Sequence, residues 1–499
     1  MVRITGNAGT LNPASRQERA TVIPSSIRGG YLFNGSSTPG NINERESFGW
    51  TVYIRSTAHA CPHVGKKGHV AAHEEMQGPA GQRERDMDAV AGRVTAELLR
   101  RSHVMRPGDV PDALAEVARP LGVSAAQVYL ADLQQRHLVP VPSGQGQGAP
   151  VLLIDSTLAG KAFQEVSLQA AASGRTEAGG TYEVWIPLVD GTERLGMLSL
   201  TVTDVSEAML DRYRTLASLL GIMIMAKSSY SDTYARTQRT QEMALQAELV
   251  WAFLAQRTFA TDRVLVAATL EPAYEAGGDA FDYALLGDHL NVSIFDALGH
   301  DLAAGLLASV GLASCRSTRR SGGSLADIAA RADDAISGFF GGDRFVTALL
   351  CDLDLATGLF TWIPCGHPPP LLIRGGTVRE LGHAPRLPLG LAVPAGRQPA
   401  QPRASAAAAP PYVQELAPGD RLLLYTDGVT DGRAADGTPF GLERLADLVR
   451  RSTAHLPAPE AMRRLNHAIL DYQHGRMRDD ATAVLIEWQP ADPSRDLTP

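Results

Sequence analysis

Four apolar runs organise the second half of the chain: Val264 to Leu270, Leu290 to Phe295, Leu422 to Tyr425 and Ala483 to Ile486. Each has strand length and reads as a buried strand, so a sheet-rich core is predicted there. The residues that border these runs are acidic. They fall in the blocks Glu275-Ala-Gly-Gly-Asp279-Ala-Phe-Asp282, Asp296-Ala-Leu-Gly-His300, Tyr425-Thr-Asp427-Gly428 and Arg478-Asp479-Asp480-Ala-Thr482. Carboxylates therefore collect at strand ends, where they repel one another and resist desolvation unless cations share them. An all-oxygen set suits hard divalent ions such as Mg²⁺ or Mn²⁺.

Earlier in the chain the pattern changes. Residues 1–80 are rich in Gly, Ser, Asn, Pro and Arg and show little periodicity, which predicts a disordered tail. Cys61, His63, His69 and His73 lie in it, but their spacing fits no standard zinc module. From 84 to 227 a compact α/β unit is predicted. One helix carries Val90, Val94 and Leu98 on one face, and a second runs from Pro111 to Ala118. Strands follow at Gln127 to Ala131, Tyr182 to Val189 and Gly196 to Val202, the last two joined by a turn at Asp190-Gly191. Residues 205–258 read as nearly continuous helix without Pro, striped by Leu210, Tyr213, Leu216, Leu220 and Met223 and then by Met243, Leu245, Leu249 and Phe253. Such a stripe is a packing seam, and between two folded regions it predicts a parallel homodimer seam that transmits a twist.

Composition narrows the partners. A chain of 499 residues calls for two or three domains. Its net charge of −8, with no Lys- or Arg-rich block, argues against nucleic acid as the main partner. The most apolar stretch, Leu216 to Ala226, is about half the length of a membrane span, and no signal peptide is visible, so no membrane insertion and a cytoplasmic location are expected. Four cysteines without paired spacing fit a reducing compartment. None is followed six places on by the Arg that a thiolate phosphatase requires: those positions hold Lys67, Ser321, Thr357 and Leu371. No GxxxxGK[ST] loop or HExxH helix occurs either.

The acidic blocks sit in a longer ordered series: Phe345-Val-Thr347, Cys365-Gly-His-Pro-Pro, Leu387-Pro-Leu-Gly390, Pro418-Gly-Asp420, Phe440-Gly-Leu-Glu443 and finally Asp479-Asp-Ala-Thr482. Together these resemble the metal-dependent serine/threonine protein phosphatases, in the SpoIIE- and RsbU-like bacterial branch, over about residues 245 to 489. The resemblance implies an α+β multidomain chain whose phosphatase domain, residues 260–489, is an αββα stack of two antiparallel sheets flanked by helices, followed by a short tail at 490–499. The segment at 84–227 resembles a GAF sensor domain, most closely at Trp185-Ile-Pro-Leu and Arg194-Leu-Gly-Met-Leu. No residue in it identifies a ligand, and a folded spacer is the alternative.

By motif position the resemblance implies two Mn²⁺ or Mg²⁺ ions and a water attacking phosphorus directly. Asp296 corresponds to the bridging carboxylate, the Ala297 carbonyl to a backbone ligand, and Asp427 and Asp479 to the remaining ligands. Asp279 corresponds to the acidic residue of the first motif, and Asp480 to either a ligand or a supporting group. Asp282 and His300 are secondary candidates, His300 lying two places beyond the family's histidine. Asp301 departs from the usual Gly and is read as a helix cap. Analogy adds a substrate, a phosphorylated STAS-type anti-sigma-factor antagonist. The rival expectation is a weakly catalytic regulatory module that recruits a partner through the GAF-like unit and long helix.

Overall fold

The computed structural model describes residues 3–4, 51–53, 79–142, 148–176, 179–341, 343–384, 386–391, 410–475, 477 and 479–489. They form two units, one ending at Thr240 and one running from Gln241, with Gly191–Glu193 counted in the second. Almost all of the 1–80 tail, including Cys61, His63, His69 and His73, lies outside the described residues. So do most of the 396–411 insertion and the whole tail 490–499.

In the first unit two short strands, β1 (Arg3–Ile4) and β2 (Thr51–Tyr53), precede α1 (Pro79–Ser102) and α2 (Val110–Val117). Then come β3 (Val123–Ala131), β4 (His137–Pro140), β5 (Leu152–Leu153), α3 (Leu158–Glu165), β6 (Gln169–Thr176), β7 (Gly179–Asp190) and β8 (Glu193–Val202). The strands make one sheet in the order β1-β2-β6-β7-β8-β3-β4-β5. Period-two alternation gives it two cores. Val128, Leu130, Val184, Ile186 and Leu200 pack with Leu98 and Leu114 of the helices, whereas Tyr129, Ala131, Trp185 and Met197 pack with Phe163 of α3.

The continuous helix expected over 205–258 is corrected by the structure. The segment forms α4 (Glu207–Ser228), α5 (Asp232–Gln238) and α6 (Leu245–Phe253), and the last belongs to the second unit. Serine chemistry makes the first break: Ser231 takes an extended backbone and its hydroxyl accepts from the Thr233 N–H, capping a new helix. Extended backbone at Arg239 and Ala244 makes the second. The dimer seam is corrected with it. Leu210, Tyr213, Leu216, Leu220 and Met223 are all buried in the core of their own unit, where the Tyr213 hydroxyl donates to the Leu121 carbonyl. In α6 the inward residues are Ala247 and Val250, while Leu245 is 67% exposed.

The second unit is a four-layer α+β stack. After α6 come β9 (Thr258–Ala260), β10 (Val264–Glu271), β11 (Asp279–Leu286), β12 (His289–Ala297), α7 (Leu302–Arg320), α8 (Leu325–Phe340), β13 (Val346–Asp354) and β14 (Leu359–Cys365). They are followed by β15 (Leu371–Arg374), β16 (Thr377–Glu380), β17 (Tyr412–Glu415), β18 (Arg421–Tyr425), α9 (Asp427–Asp431), α10 (Leu442–His455), α11 (Ala458–Tyr472) and β19 (Ala481–Trp488). One sheet runs β16-β15-β18-β19-β10-β9 and the other β11-β12-β13-β14-β17. On the first sheet Val264, Val266, Leu422, Leu424, Val484 and Ile486 point into the core between the sheets. Their neighbours Ala267, Leu423, Tyr425, Ala483 and Leu485 point outward, under α10 and α11. A strand apolar on both faces is thus one covered on both faces, which is why β19 is buried along its whole length.

Asp301 caps α7, its carboxylate accepting from the Ala304 N–H at 2.9 Å and pairing with Arg344. Pro418-Gly419-Asp420 is likewise structural: Asp420 accepts from the Ala417 N–H and from Arg374 across the turn into β18. Asp282 is corrected as a metal-site candidate. Three residues beyond Asp279 on β11 it faces the other side of the sheet, where it is buried and holds Arg316 at 2.7 Å and Arg319 at 3.1 Å on α7. Asp282→Ala leaves two guanidinium groups facing an empty site, and is expected to cost about 3 kcal/mol. Denaturant unfolding measures that cost. Metal affinity unchanged beside wild type would confirm the role, and a lost metal site would return Asp282 to the ligands.

Candidate active site

Strand pairing brings the acidic blocks together. Asp279 on β11 is the direct register partner of Asp296 on β12, and Asp296 is the partner of Thr347 on β13. In the other sheet Tyr425 pairs with Ala483, so Asp427 and the Asp479-Asp480 pair stand at the ends of adjacent strands β18 and β19. Thr426 joins the two sheets: its hydroxyl donates to Asp279 Oδ2 at 2.7 Å and accepts from the Thr482 N–H at 2.9 Å.

Exposure divides the five aspartates into two sets. Asp427 and Asp479 face solvent and Asp296 is half-buried, whereas Asp279 is 1% and Asp480 4% exposed. The buried pair organises backbone. Asp480 Oδ2 accepts from the N–H groups of Gly277 at 2.8 Å, Gly278 at 2.6 Å and Asp279 at 3.2 Å. Its own N–H is held by Asp479 Oδ1 at 3.0 Å. Of the two roles the sequence leaves open for Asp480, this geometry shows support. Gly278 in turn accepts from the Ala297 N–H at 3.0 Å. A Cβ on Gly278 would stand 2.8 Å from the Ala297 oxygen and 2.6 Å from the Gly299 oxygen. Glycine there lets the loop seat behind the carbonyl that would serve a cation. Gly428 is required for the same reason, because its Cβ would lie 1.9 Å from the Asp480 oxygen.

Burial shifts every member of the set upward, and neighbouring carboxylates add to it for Asp279, Asp296, Asp427 and Asp479. Asp279 is raised well above the usual carboxylate range by burial and then by the charges of Asp296 and Asp480. Asp296 is pushed up to about 7 by burial and then by Asp427, Asp479 and Asp480, with the Thr347 hydroxyl pulling the other way. Asp427, Asp479 and Asp480 are raised as well, water exclusion leading in each. His300 is exposed on the loop after β12, and its charge draws Asp479 and Asp480 down. A cluster that cannot ionise together without help is the electrostatic signature of a cation site.

The donor set fits hard divalent ions. Three accessible carboxylates, Asp296, Asp427 and Asp479, and the Ala297 carbonyl offer only oxygen. Among the described residues no three His, Cys, Asp or Glu side chains close on one point as a ready-made cage. The protein's share of any shell is therefore sparse, which is the way Mg²⁺ is held, by one or two carboxylates with water filling the rest. Sequence reasoning gave no part to Thr426 or Thr347, and read His367 as shaping a strand exit rather than donating protons. All three lie within the motif blocks, but their roles depend on pairing between distant strands.

The fold and site together define a phosphatase domain of stacked sheets and helices. Residues 287–489 match the family model described as stage II sporulation protein E, SpoIIE. The chain is 22% identical over 286 residues to the phosphoserine phosphatase RsbU of Bacillus subtilis (strain 168), covering 55% of this chain and 80% of RsbU. It is 25% identical over 179 residues to the phosphoserine phosphatase RsbP of the same organism, covering 35% of this chain and 41% of RsbP. A solved structure of the RsbU and RsbW domains of Rv1364c from Mycobacterium tuberculosis is 24% identical, with a TM-score of 0.39, covering 46% of this chain and 61% of that one. The chain carries a SpoIIE-type domain related to RsbU and is a serine/threonine phosphatase.

The raised carboxylates fix the sign of a pH effect. A group whose folded pKa exceeds its unfolded value stabilises fully below the unfolded value, and that stability is lost as pH rises through the folded one. For Asp296 the window runs from 3.8 to about 7. The metal-free protein, melted in chelator, is therefore expected to lose thermal stability between about pH 4 and pH 7, and Asp296→Asn should flatten the fall. A melting temperature that rises over that range in the wild type would show that the carboxylates do not crowd one another.

Proposed function

We propose that this chain is a Mn²⁺- or Mg²⁺-dependent phosphatase for phosphoserine or phosphothreonine on a protein, with a STAS-type anti-sigma-factor antagonist as substrate. The observation that carries the metal is the convergence of five aspartates with raised pKa values on one sheet edge. Support for a phosphoprotein comes from the relatives RsbU and RsbP, each named a phosphoserine phosphatase.

In this reading Asp296, the Ala297 carbonyl, Asp427 and Asp479 would hold two divalent ions. Such ions supply a more acidic water as nucleophile and positive charge for the phosphoryl oxygens. The residues of the chain place these groups. Asp480 and Gly278 fix the peptide that presents the Ala297 carbonyl, and Thr426 holds Asp279 against the sheet edge. Asp427 and Asp479 remain at the solvent-facing rim, where a phosphorylated side chain on another protein can reach them. The described cysteines take no part: Cys315, Cys351 and Cys365 are buried, and burial raises each thiol.

The first unit is, in this reading, a GAF-like sensor. Its support is a sheet with helices packed on both faces and the hairpin-linked strands β7 and β8. Any control it exerts passes through a segmented connection, α4 to α6, rather than one rod.

Turnover of p-nitrophenyl phosphate tests the chemistry. Activity should require Mn²⁺ or Mg²⁺ and vanish with chelator, and Asp296→Asn, Asp427→Asn and Asp479→Asn should each lose about 10²-fold or more. His300→Ala should keep measurable activity. Full turnover by Asp296→Asn at saturating Mn²⁺ would remove it from the site. For regulation, a fragment of residues 240–499 should show a basal rate different from that of the full chain. Equal rates and equal metal affinity, with and without cell extract, would reduce the first unit to a tether.

A further inference from the structure

Behind Asp296 lies a second layer of polar groups. Thr347 stands directly opposite it in the β12–β13 register, with Oγ1 3.5 Å from Asp296 Oδ2. The same Oγ1 is 2.9 Å from Nδ1 of His367. His367 comes from the Cys365-Gly-His-Pro-Pro block and is 3% exposed. It is turned into the sheet by Gly366, whose φ is +73° and whose added Cβ would lie 2.7 Å from Pro388. The bridge between Ala348 and Gly366 sets this turn beside Thr347. The block therefore shapes a strand exit, as its prolines suggest, and also delivers an imidazole to the back of the site.

Proton counting restricts what this triad can be. Burial holds the His367 ring neutral, with its pKa pulled down to about 3, so it carries one N–H. Thr347 has one hydroxyl proton, and Asp296, ionised when it holds cations, only accepts. Both contacts of Thr347 are satisfied in one arrangement alone, in which Nδ1–H donates to Oγ1 and Oγ1–H donates to the carboxylate. The ring also meets the Tyr425 backbone, whose pull opposes the effect of burial on its proton, so the tautomer has to be measured. In the opposite tautomer Thr347 donates to Nδ1 and no proton faces Asp296.

We propose that His367 and Thr347 are positioning residues of this phosphatase: the imidazole orients the Thr347 hydroxyl, and the hydroxyl aims the Asp296 carboxylate at the cations it holds. This rests on the reading of Asp296 as a metal ligand. Neither residue touches substrate. Their effect is on the affinity and geometry of the metal site, as for other groups that hold a ligand from behind.

The test is Mn²⁺ binding to the full-length protein by calorimetry, without substrate. Thr347→Val, which keeps shape and removes the hydroxyl, should weaken Mn²⁺ by about 10-fold or more, and His367→Ala should act in the same direction. Thr347→Ser, and His367→Asn with its amide near the Nδ1 position, should stay within about threefold of wild type. Thermal melts in chelator check that each variant folds. Independently, ¹⁵N imidazole shifts of the Mg²⁺-loaded protein, with His367 assigned by its loss in His367→Asn, should show a protonated Nδ1 and a bare Nε2. If Thr347→Val binds Mn²⁺ like wild type while Asp296→Asn does not, the relay is overturned and the metal site stands. If Asp296→Asn also binds like wild type, the relay falls with the reading beneath it. A His367 protonated at Nε2 overturns the relay whatever the affinities.

Discussion

Repulsion among carboxylates is the interaction on which the catalytic unit turns. Two sheets bring five aspartates to one edge, and each is less acidic there than in water because burial and its neighbours oppose its charge. Such an edge is tolerable in two ways: protons neutralise it, or cations do. The stack of sheets and helices supplies the stability that holds the groups together despite this. Its central strands are covered on both faces, and β19, which carries Asp479 and Asp480 at its start, is buried from end to end.

The unit manages its charges by dividing labour. Buried aspartates are given backbone or hydroxyl donors: Asp480 has three amides and Asp279 has Thr426. Asp282, which faces away, has two arginines. Among the described residues, no cationic side chain is bonded to the accessible ones, Asp296, Asp427 and Asp479. The glycines belong to the same scheme. Gly278 and Gly428 are needed because backbone oxygens of Ala297, Gly299 and Asp480 approach where a side chain would stand, so carbonyls as well as carboxylates are gathered at the edge.

The first unit shows a different constraint. Helix α4 spends its apolar stripe on its own core, and a buried Lys227 donates to the Ser102 and Met105 carbonyls near its end. The chain leaves it through a capped break at Ser231 and extended backbone at Arg239 and Ala244. Absence of proline permits a long helix without requiring one. Local caps and the demand of each core for its own apolar face decide the outcome.

What the sequence by itself determined is local. Apolar runs of strand length set the strands, Asp301 announced its helix cap, and the ordered blocks pointed to a phosphatase. Tertiary structure decided which of those residues work together. On a strand, three positions separate Asp279 from Asp282 and send them to opposite faces, so one joins the site and the other joins α7. Asp480 acquires its amides from residues up to 203 positions away, and Thr426 reaches Asp279 across 147. His367 meets Thr347 only because β13 and β14 lie side by side. Periodicity and capping are written within a turn or two of chain, whereas the partner of a buried polar group is fixed by strand register between distant segments, which no local pattern encodes.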